Sequence, residues 1–223
     1  MSAPTLLDER LWFPDARDAV KRGVHAGLVA VGGDLSIPRL LLAYRNGLFP
    51  WTADPVTWWS PEPRGIIELD QLHISRSLAR ALRKGVFEIT VDRAFCDVIT
   101  ACAETPRPGG WISPEFIAAY TALHQAGHAH SVECWQAGQL VGGVYGVTVG
   151  GLFAGESMFH RATDASKVAL CHLVQRLKQG GFTLFDTQMV TTVTRQLGAV
   201  EISRTEYLRR LAEAVARPVT WAG

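Results

Sequence analysis

Residues 131–188 read SVECWQAGQLVGGVYGVTVGGLFAGESMFHRATDASKVALCHLVQRLKQGGFTLFDTQ. Cys134 to Gly155 within it is a run of 22 residues without a charge. That is long enough to cross a bilayer as a helix. The run holds seven glycines and two glutamines, however, and its apolar residues favour strands. It therefore predicts strands at Ser131–Gln136, Leu140–Val149 and Leu152–Phe159, the first two joined by a short Ala-Gly-Gln turn. Asp164 is placed to cap a long helix running to Lys178 and closed by Gly180-Gly181. Thr183–Gln188 follows as a further strand.

Reading outward from this stretch, His73–Lys84 has the period of an amphipathic helix and Phe87–Val91 alternates as a strand. Ala94–Ala103 and Pro114–Gln125 read as helices, with Phe95, Val98, Ile99 and Cys102 on one face of the first. Downstream come a helix at Thr191–Leu197, a short strand at Val200–Ile202 and a last helix near Thr205–Ala216. The order β-α-α-β-β-β-α-β-α-β is that of the N-acetyltransferase (GNAT) superfamily, a mixed sheet with helices on both faces. The fold class expected is α/β (α+β), a GNAT-like acyltransferase domain over residues 66–223 behind a small N-terminal domain over 1–65.

That N-terminal part differs in texture. Ser36, Pro38 and Gly47 bracket one clear helix, RLLLAYRN. The next stretch, LFPWTADPVTWWSPEPR, has four prolines and three tryptophans and reads as irregular. Its Trp51, Trp58 and Trp59 suit either a small hydrophobic core or a stacking platform.

Composition narrows the function. The 223 residues carry a formal net charge of +1, with 19% charged and 48% hydrophobic. This excludes a disordered chain, a collagen-like fibre and a basic nucleic-acid coat. Cys96, Cys102, Cys134 and Cys171 lack metal-ligand spacing and read as reduced thiols of a cytoplasmic protein. The opening MSAPTLLDERLWF has no basic region followed by an apolar core, so no signal peptide is expected.

Four local patterns bear on chemistry. N-acetyltransferases cradle the coenzyme A pyrophosphate on a glycine-rich turn before the long helix. Here that place reads Arg161-Ala-Thr-Asp164-Ala-Ser166, without glycine and with a carboxylate, which makes coenzyme A a poor donor. Arg76, Arg80, Arg83 and Lys84 fall within an arc of roughly 100° on one helix face, either an ordinary solvated face or a phosphate-contacting stripe. Glu156 sits in an apolar strand, and Asp186 and Gln188 share one face of another. Such acids need partners: Arg161 or Lys167 for Glu156 if the role is structural, a cationic amine if it is functional. Ser157 in GESMF lacks the final glycine of a hydrolase elbow. His124, His128 and His130 lack the acid of a metal-binding helix, so hydrogen bonding at a helix end is expected and no metal site.

Taken together, these segments resemble the leucyl/phenylalanyl-tRNA–protein transferases of bacteria. The matching stretches include GLVAVGGDLS, RLLLAYRNGLFPW, WWSPEPRGII, LHISRSLARALRK, GGWISPEF, AHSVECW, GGLFAGESMFHR, DASKVAL, DTQ and LGAVEISR, in family order from about Gly27 to Arg204. The resemblance implies transfer of Leu or Phe, and less well Met, from aminoacyl-tRNA to the α-amine of proteins beginning with Arg or Lys, which marks them for degradation. It implies no cofactor and no membrane, and suggests a monomer. By the same resemblance, Arg76, Arg80, Arg83 and Lys84 dock the tRNA acceptor stem, and Trp51 and Trp111 hold the 3′-terminal adenosine. Val144, Phe153, Met158 and Leu173 surround the aminoacyl side chain. Glu156, Asp186 and Gln188 match the catalytic centre, with Asp186 and Gln188 orienting the amine and helping to remove its proton.

The chain departs from the family pattern at Thr187, Thr191 and Val193, where Cys, Asn and His are usual, and at His160 and Asp164, where Ser and Asn are usual. Two other readings of the residues stay open: a GNAT-fold acyltransferase with a small acyl donor, and a module that binds tRNA or protein N-termini without turnover.

Overall fold

The computed structural model describes residues 4–106 and 110–221; Gly109, which opens the GGWISPEF motif, lies outside them. In chain order the elements are β1 (Thr5–Leu7), β2 (Leu28–Gly32), α1 (Ile37–Arg45), β3 (Phe49–Ala53), β4 (Val56–Trp59) and β5 (Arg64–Ile67). Then come α2 (Arg76–Lys84), β6 (Glu88–Val91), α3 (Phe95–Glu104), α4 (Pro114–Gln125), β7 (Ala129–Gln136), β8 (Gln139–Val149) and β9 (Leu152–His160). Last are α5 (Ala165–Gly180), β10 (Leu184–Gln188), α6 (Thr192–Gln196), β11 (Val200–Ile202) and α7 (Arg204–Val215). The uncharged run of 134–155 is thus sheet, and among the described residues no helix is long and apolar enough to cross a membrane.

The larger sheet has the order β11-β5-β10-β9-β8-β7-β6. β6 to β9 are antiparallel neighbours, and α5 carries the chain from β9 to its parallel partner β10. Burial explains the two layers of helices. One face packs Tyr44, Phe95, Val98, Phe116, Tyr120, Tyr207 and Leu211 from α1, α3, α4 and α7. The other packs Leu78, Val168, Leu173, Val174 and Leu177 from α2 and α5. This is the GNAT-like mixed sheet expected from the element order.

The N-terminal stretch corrects one expectation. LFPWTADPVTWWSPEPR is not irregular: it forms β3, β4 and the start of β5. The prolines fit because of where they stand. β3 is an edge strand of a four-stranded sheet ordered β1-β2-β4-β3, so Pro50 removes no ladder donor from a central strand. Pro55 lies in the turn, and Pro61 and Pro63 fall between β4 and β5. Trp58 is fully buried, and the small sheet shares its core with the α4 and α7 face of the large one. A boundary at residue 65 falls inside β5, whose four residues belong to the large sheet.

Two irregularities position the site. The β8–β9 register steps from Gly146↔Gly155 to Tyr145↔Ser157, leaving Glu156 as the extra residue of a bulge. The bulge flips the side-chain alternation beyond it. The parallel pairing of β9 with β10 ends at Ala154↔Asp186, although β9 runs on to His160. Beyond that rung the two strands part, and Gln188 adopts a φ of +61°, a left-handed conformation that a side chain rarely takes.

Candidate active site

Where β9 and β10 part, a cleft of about 630 Å³ opens. Its walls include Val144, Glu156, Met158, Leu170, Phe185 and Met189. Glu156 is the buried acid at this opening, only 9% exposed. Its Oε1 accepts from Tyr44 Oη (2.8 Å) and from Gln188 Nε2 (2.8 Å). Its Oε2 lies 3.2 Å from Tyr120 Oη, and the two phenol oxygens are 2.5 Å apart. Neither Arg161 nor Lys167 pairs with it; these bind Glu104 and Asp164 instead. Burial pushes the Glu156 carboxyl up to about 8, against the pull of its two tyrosine hydrogen bonds, and the nearby Asp186 adds to the rise. Burial also holds the Tyr44 and Tyr120 phenols well above their usual range.

Asp186, one strand over, is solved differently. Arg64 grips it bidentately, Nε to Oδ1 at 2.9 Å and Nη2 to Oδ2 at 2.6 Å. Tyr207 Oη donates to Oδ2 and the Gln188 backbone N–H to Oδ1. Arg64 is itself sandwiched by the Phe49 and Tyr207 rings. Burial alone would lower the Arg64 guanidinium, but Asp186 outweighs it and raises it further. Asp186 thus has both oxygens engaged and no face on the cleft. It fixes Gln188 through the backbone, and Gln188 in turn fixes Glu156. Direct contact between Asp186 and an incoming amine does not fit this burial.

The other sequence-predicted residues divide. Val144 and Met158 line the cleft, whereas Phe153 and Leu173 lie behind it in the α5-side core. The bulge is the reason: it brings Met158 onto the face that Phe153 occupies, and the Phe153 ring turns inward against Phe185 and Trp221. Trp51 is half-buried against Phe49 and Trp59, and Trp111 against Phe116. Arg76, Arg80, Arg83 and Lys84 are all exposed on α2, which rests on Leu78, and none is in a salt bridge among the described residues. His124 and His130 hydrogen-bond to Ala129 O and Asp92. No cluster of three His, Cys, Asp or Glu placed for a metal ion occurs among the described residues. Asp164 stands at the α5 N-terminus with a φ of +67°, but its side chain caps nothing and faces Lys167.

Sequence reasoning missed Tyr44, Tyr120, Arg64 and Tyr207. Only one signal pointed to a partner for Asp186: an acid inside an apolar strand needs one. Nothing in their local sequence marked the tyrosines. All five positions that depart from the family pattern, His160, Asp164, Thr187, Thr191 and Val193, line the cleft.

A mixed sheet in the element order of a GNAT-like domain, parted at its parallel pair beside a buried carboxyl and amide, frames the candidate site. Comparison with known proteins narrows this. The family described as leucyl/phenylalanyl-tRNA protein transferase matches residues 66–212, and its N-terminal domain matches residues 33–62. A leucyl/phenylalanyl-tRNA–protein transferase of Syntrophobacter fumaroxidans is 52% identical, over 97% of this chain and 94% of its own length. One from Tolumonas auensis is 50% identical over 94% of this chain and 90% of its own. The chain belongs to the leucyl/phenylalanyl-tRNA–protein transferase family. Among solved structures, L-PGS from Bacillus licheniformis superposes with a TM-score of 0.46 at 12% identity, covering 86% of this chain and 72% of its own. A GCN5-related N-acetyltransferase from Kribbella flavida gives 0.42 at 13%, covering 73% and 59%.

Proposed function

We propose that the chain moves Leu or Phe, and less well Met, from aminoacyl-tRNA to the α-amine of proteins beginning with Arg or Lys. The observation that carries this reading is the cleft itself: apolar along Val144, Met158, Leu170 and Phe185, and acidic only at Glu156 and Asp164. An apolar slot takes a Leu or Phe side chain and leaves a polar one unpaired. Phe153 and Leu173 support that wall from behind.

The donor ester is already activated, so no ATP or covalent intermediate is required. The exposed stripe Arg76, Arg80, Arg83 and Lys84 meets acceptor-stem phosphates. Trp51 and Trp111 stack the terminal adenine, worth about 1–3 kcal/mol per base. Glu156 receives the amine. Gln188 orients Glu156, and Asp186 acts through Gln188 as a positioning residue. The amine nitrogen attacks the ester carbonyl carbon, the C–O bond to ribose breaks, and the nitrogen's surplus proton ends on the ribose oxygen. Positioning carries most of the acceleration. The carboxylate of Asp164 at the α5 N-terminus disfavours a pyrophosphate there, which supports tRNA over coenzyme A as carrier. The chain works as a monomer.

The test is transfer of radiolabelled Leu from charged tRNA onto two peptides, one starting with Arg, the other with Asp. Label on the Arg peptide alone is expected. Label on the Asp peptide means that the cleft-lining departures have rewritten acceptor choice. Label on neither, with charged tRNA still bound, means a binding module.

A further inference from the structure

Tyr44, Tyr120 and Glu156 come from α1, α4 and β9, and each touches the other two. The three oxygen–oxygen contacts are 2.5, 2.8 and 3.2 Å. A hydrogen bond holds one hydrogen between its two oxygens, and each phenol has one to give. Three contacts therefore need three hydrogens, and the phenols supply two. The third can come only from the carboxyl. Gln188 fixes which oxygen bears it. Oε1 already accepts from Gln188 Nε2, and the carbonyl oxygen of a neutral acid is a better acceptor than its hydroxyl oxygen, so Oε1 is the carbonyl oxygen. The acid hydrogen is then on Oε2 and points to Tyr120. Tyr120 donates to Tyr44, and Tyr44 donates back to Oε1. The circuit closes in one direction, and hydrogen bonds in such a chain reinforce one another.

The surrounding charges permit this. From β5 and β10, Arg64 and Asp186 form a closed ion pair. α7 presents the uncharged Tyr207, and β8 presents Tyr145 to the Tyr120 ring. Of the basic side chains on the cleft wall, Lys167 stands beside Asp164, and His160 is exposed. Among the described residues no uncommitted cation thus holds Glu156 as an anion. All three ring members are buried, Tyr44 and Tyr120 almost completely. Burial also pushes the carboxyl up to about 8.

We propose that Tyr44 and Tyr120 are positioning residues that keep Glu156 as a neutral acid in a closed ring of three hydrogens, so that a cationic amine enters only by releasing one proton to solvent. This rests on the reading that Glu156 receives the acceptor amine. The balance is R–NH3⁺ plus the neutral acid, giving a net-neutral pair plus H⁺. The pair is either free amine with acid or ammonium with carboxylate, which contain the same atoms. In the free-amine form of the pair the nitrogen lone pair is available for attack, with Glu156 holding the remaining proton, so no separate strong base is then required.

The ring is tested without any ligand by infrared difference spectroscopy of wild type against Glu156→Gln at pH 7. The amide of that variant supplies an N–H and a carbonyl in place of the acid's O–H and carbonyl, so the fold is retained. A protonated-carboxyl band present only in the wild type is expected; its absence overturns the ring. In Tyr44→Phe the same band moves to higher frequency, because its carbonyl loses a donor. An unmoved band removes Tyr44 from the ring. Calorimetry with a hexapeptide starting with Arg, in buffers of different protonation enthalpy, tests the coupling. Release of about one proton is expected, with affinity falling about tenfold from pH 7 to pH 6. No release and a pH-independent affinity overturn the coupling. A carboxyl band without peptide binding upholds the ring, overturns the coupling and sinks the acceptor reading.

Discussion

Asp186 and Glu156 lie on neighbouring parallel strands, both buried, and their surroundings differ in kind. Asp186 is held by a guanidinium, a phenol and a backbone N–H, and two aromatic rings flank its partner Arg64. Glu156 is held by two phenols and an amide, none of them charged. The first arrangement makes an ion and seals it. The second makes a carboxyl whose ionisation is disfavoured and leaves it at a cleft wall. Burial alone therefore does not identify a working carboxyl; the charge of its partners does. The rung at which β9 and β10 part divides the two roles, with Asp186 on the last paired rung and Glu156 just past it.

The widest gap between the two should appear in stability. Asp186→Ala strands the buried Arg64 and is expected to destabilise the fold by about 3–5 kcal/mol, as measured by urea unfolding. If the loss stays under about 1 kcal/mol, the surface range, the sealed-ion account is wrong. Restoring the site by Asp186→Ala with Arg64→Met should recover part of that loss, since a matched apolar pair removes the unpaired charge.

pH sharpens the contrast next. The folded pKa of Glu156 is raised from 4.5 to about 8. Its bound proton favours the folded state, fully so below 4.5, and that contribution is lost as pH climbs through 8. Wild type should therefore lose stability relative to Glu156→Gln by up to about 1.4 kcal/mol per pH unit across this window. Parallel curves for the two proteins would show that Glu156 titrates as an ordinary carboxylate.

Gln188→Ala removes the side chain that holds Glu156 and keeps the backbone N–H that holds Asp186. The loss of a hydrogen bond to Glu156 should lower transfer by about tenfold to a hundredfold with little effect on tRNA affinity, as read in single-turnover transfer and filter binding. A drop in tRNA affinity alone would move Gln188 out of the centre. The smallest effects belong to α2. Each of Arg76→Ala, Arg80→Ala and Arg83→Ala should reduce the slope of log affinity against log salt by about 1, with stability unchanged. A slope that stays constant would leave the stripe a solvated surface.

Much of this was legible in the sequence. The periods of 131–188 gave the strand–strand–strand–helix–strand succession because core-facing residues must recur at fixed spacings. An acid within GGLFAGESMF called for a partner because an acid is costly in an apolar strand, which left a salt bridge and an amine-binding site as alternatives. What stayed hidden was pairing across distance. Tyr44 sits 112 residues before Glu156, and Arg64 sits 122 before Asp186; no local pattern links them. The bulge at Glu156 was hidden as well. It depends on register with β8, while Phe153, placed on the cleft wall by the resemblance alone, lies behind it. The proline-rich stretch of 48–64 was misread because an edge strand tolerates prolines that a central strand would not.

The polar centre has a consequence for how the molecule comes into being. Apart from the bond of the Gln188 backbone N–H to Asp186, its side-chain hydrogen bonds to other side chains join α1, β5, α4, β9, β10 and α7, at separations from 21 to 143 residues. None belongs to a local hairpin or a single helix. Such contacts form late, after the loops between them have closed. While Tyr207 on α7 is undocked, Asp186 lacks one of its donors, and while α1 is undocked, Glu156 lacks Tyr44. Chemical competence therefore arrives in one step with the finished topology, and no partly folded chain offers a half-working site.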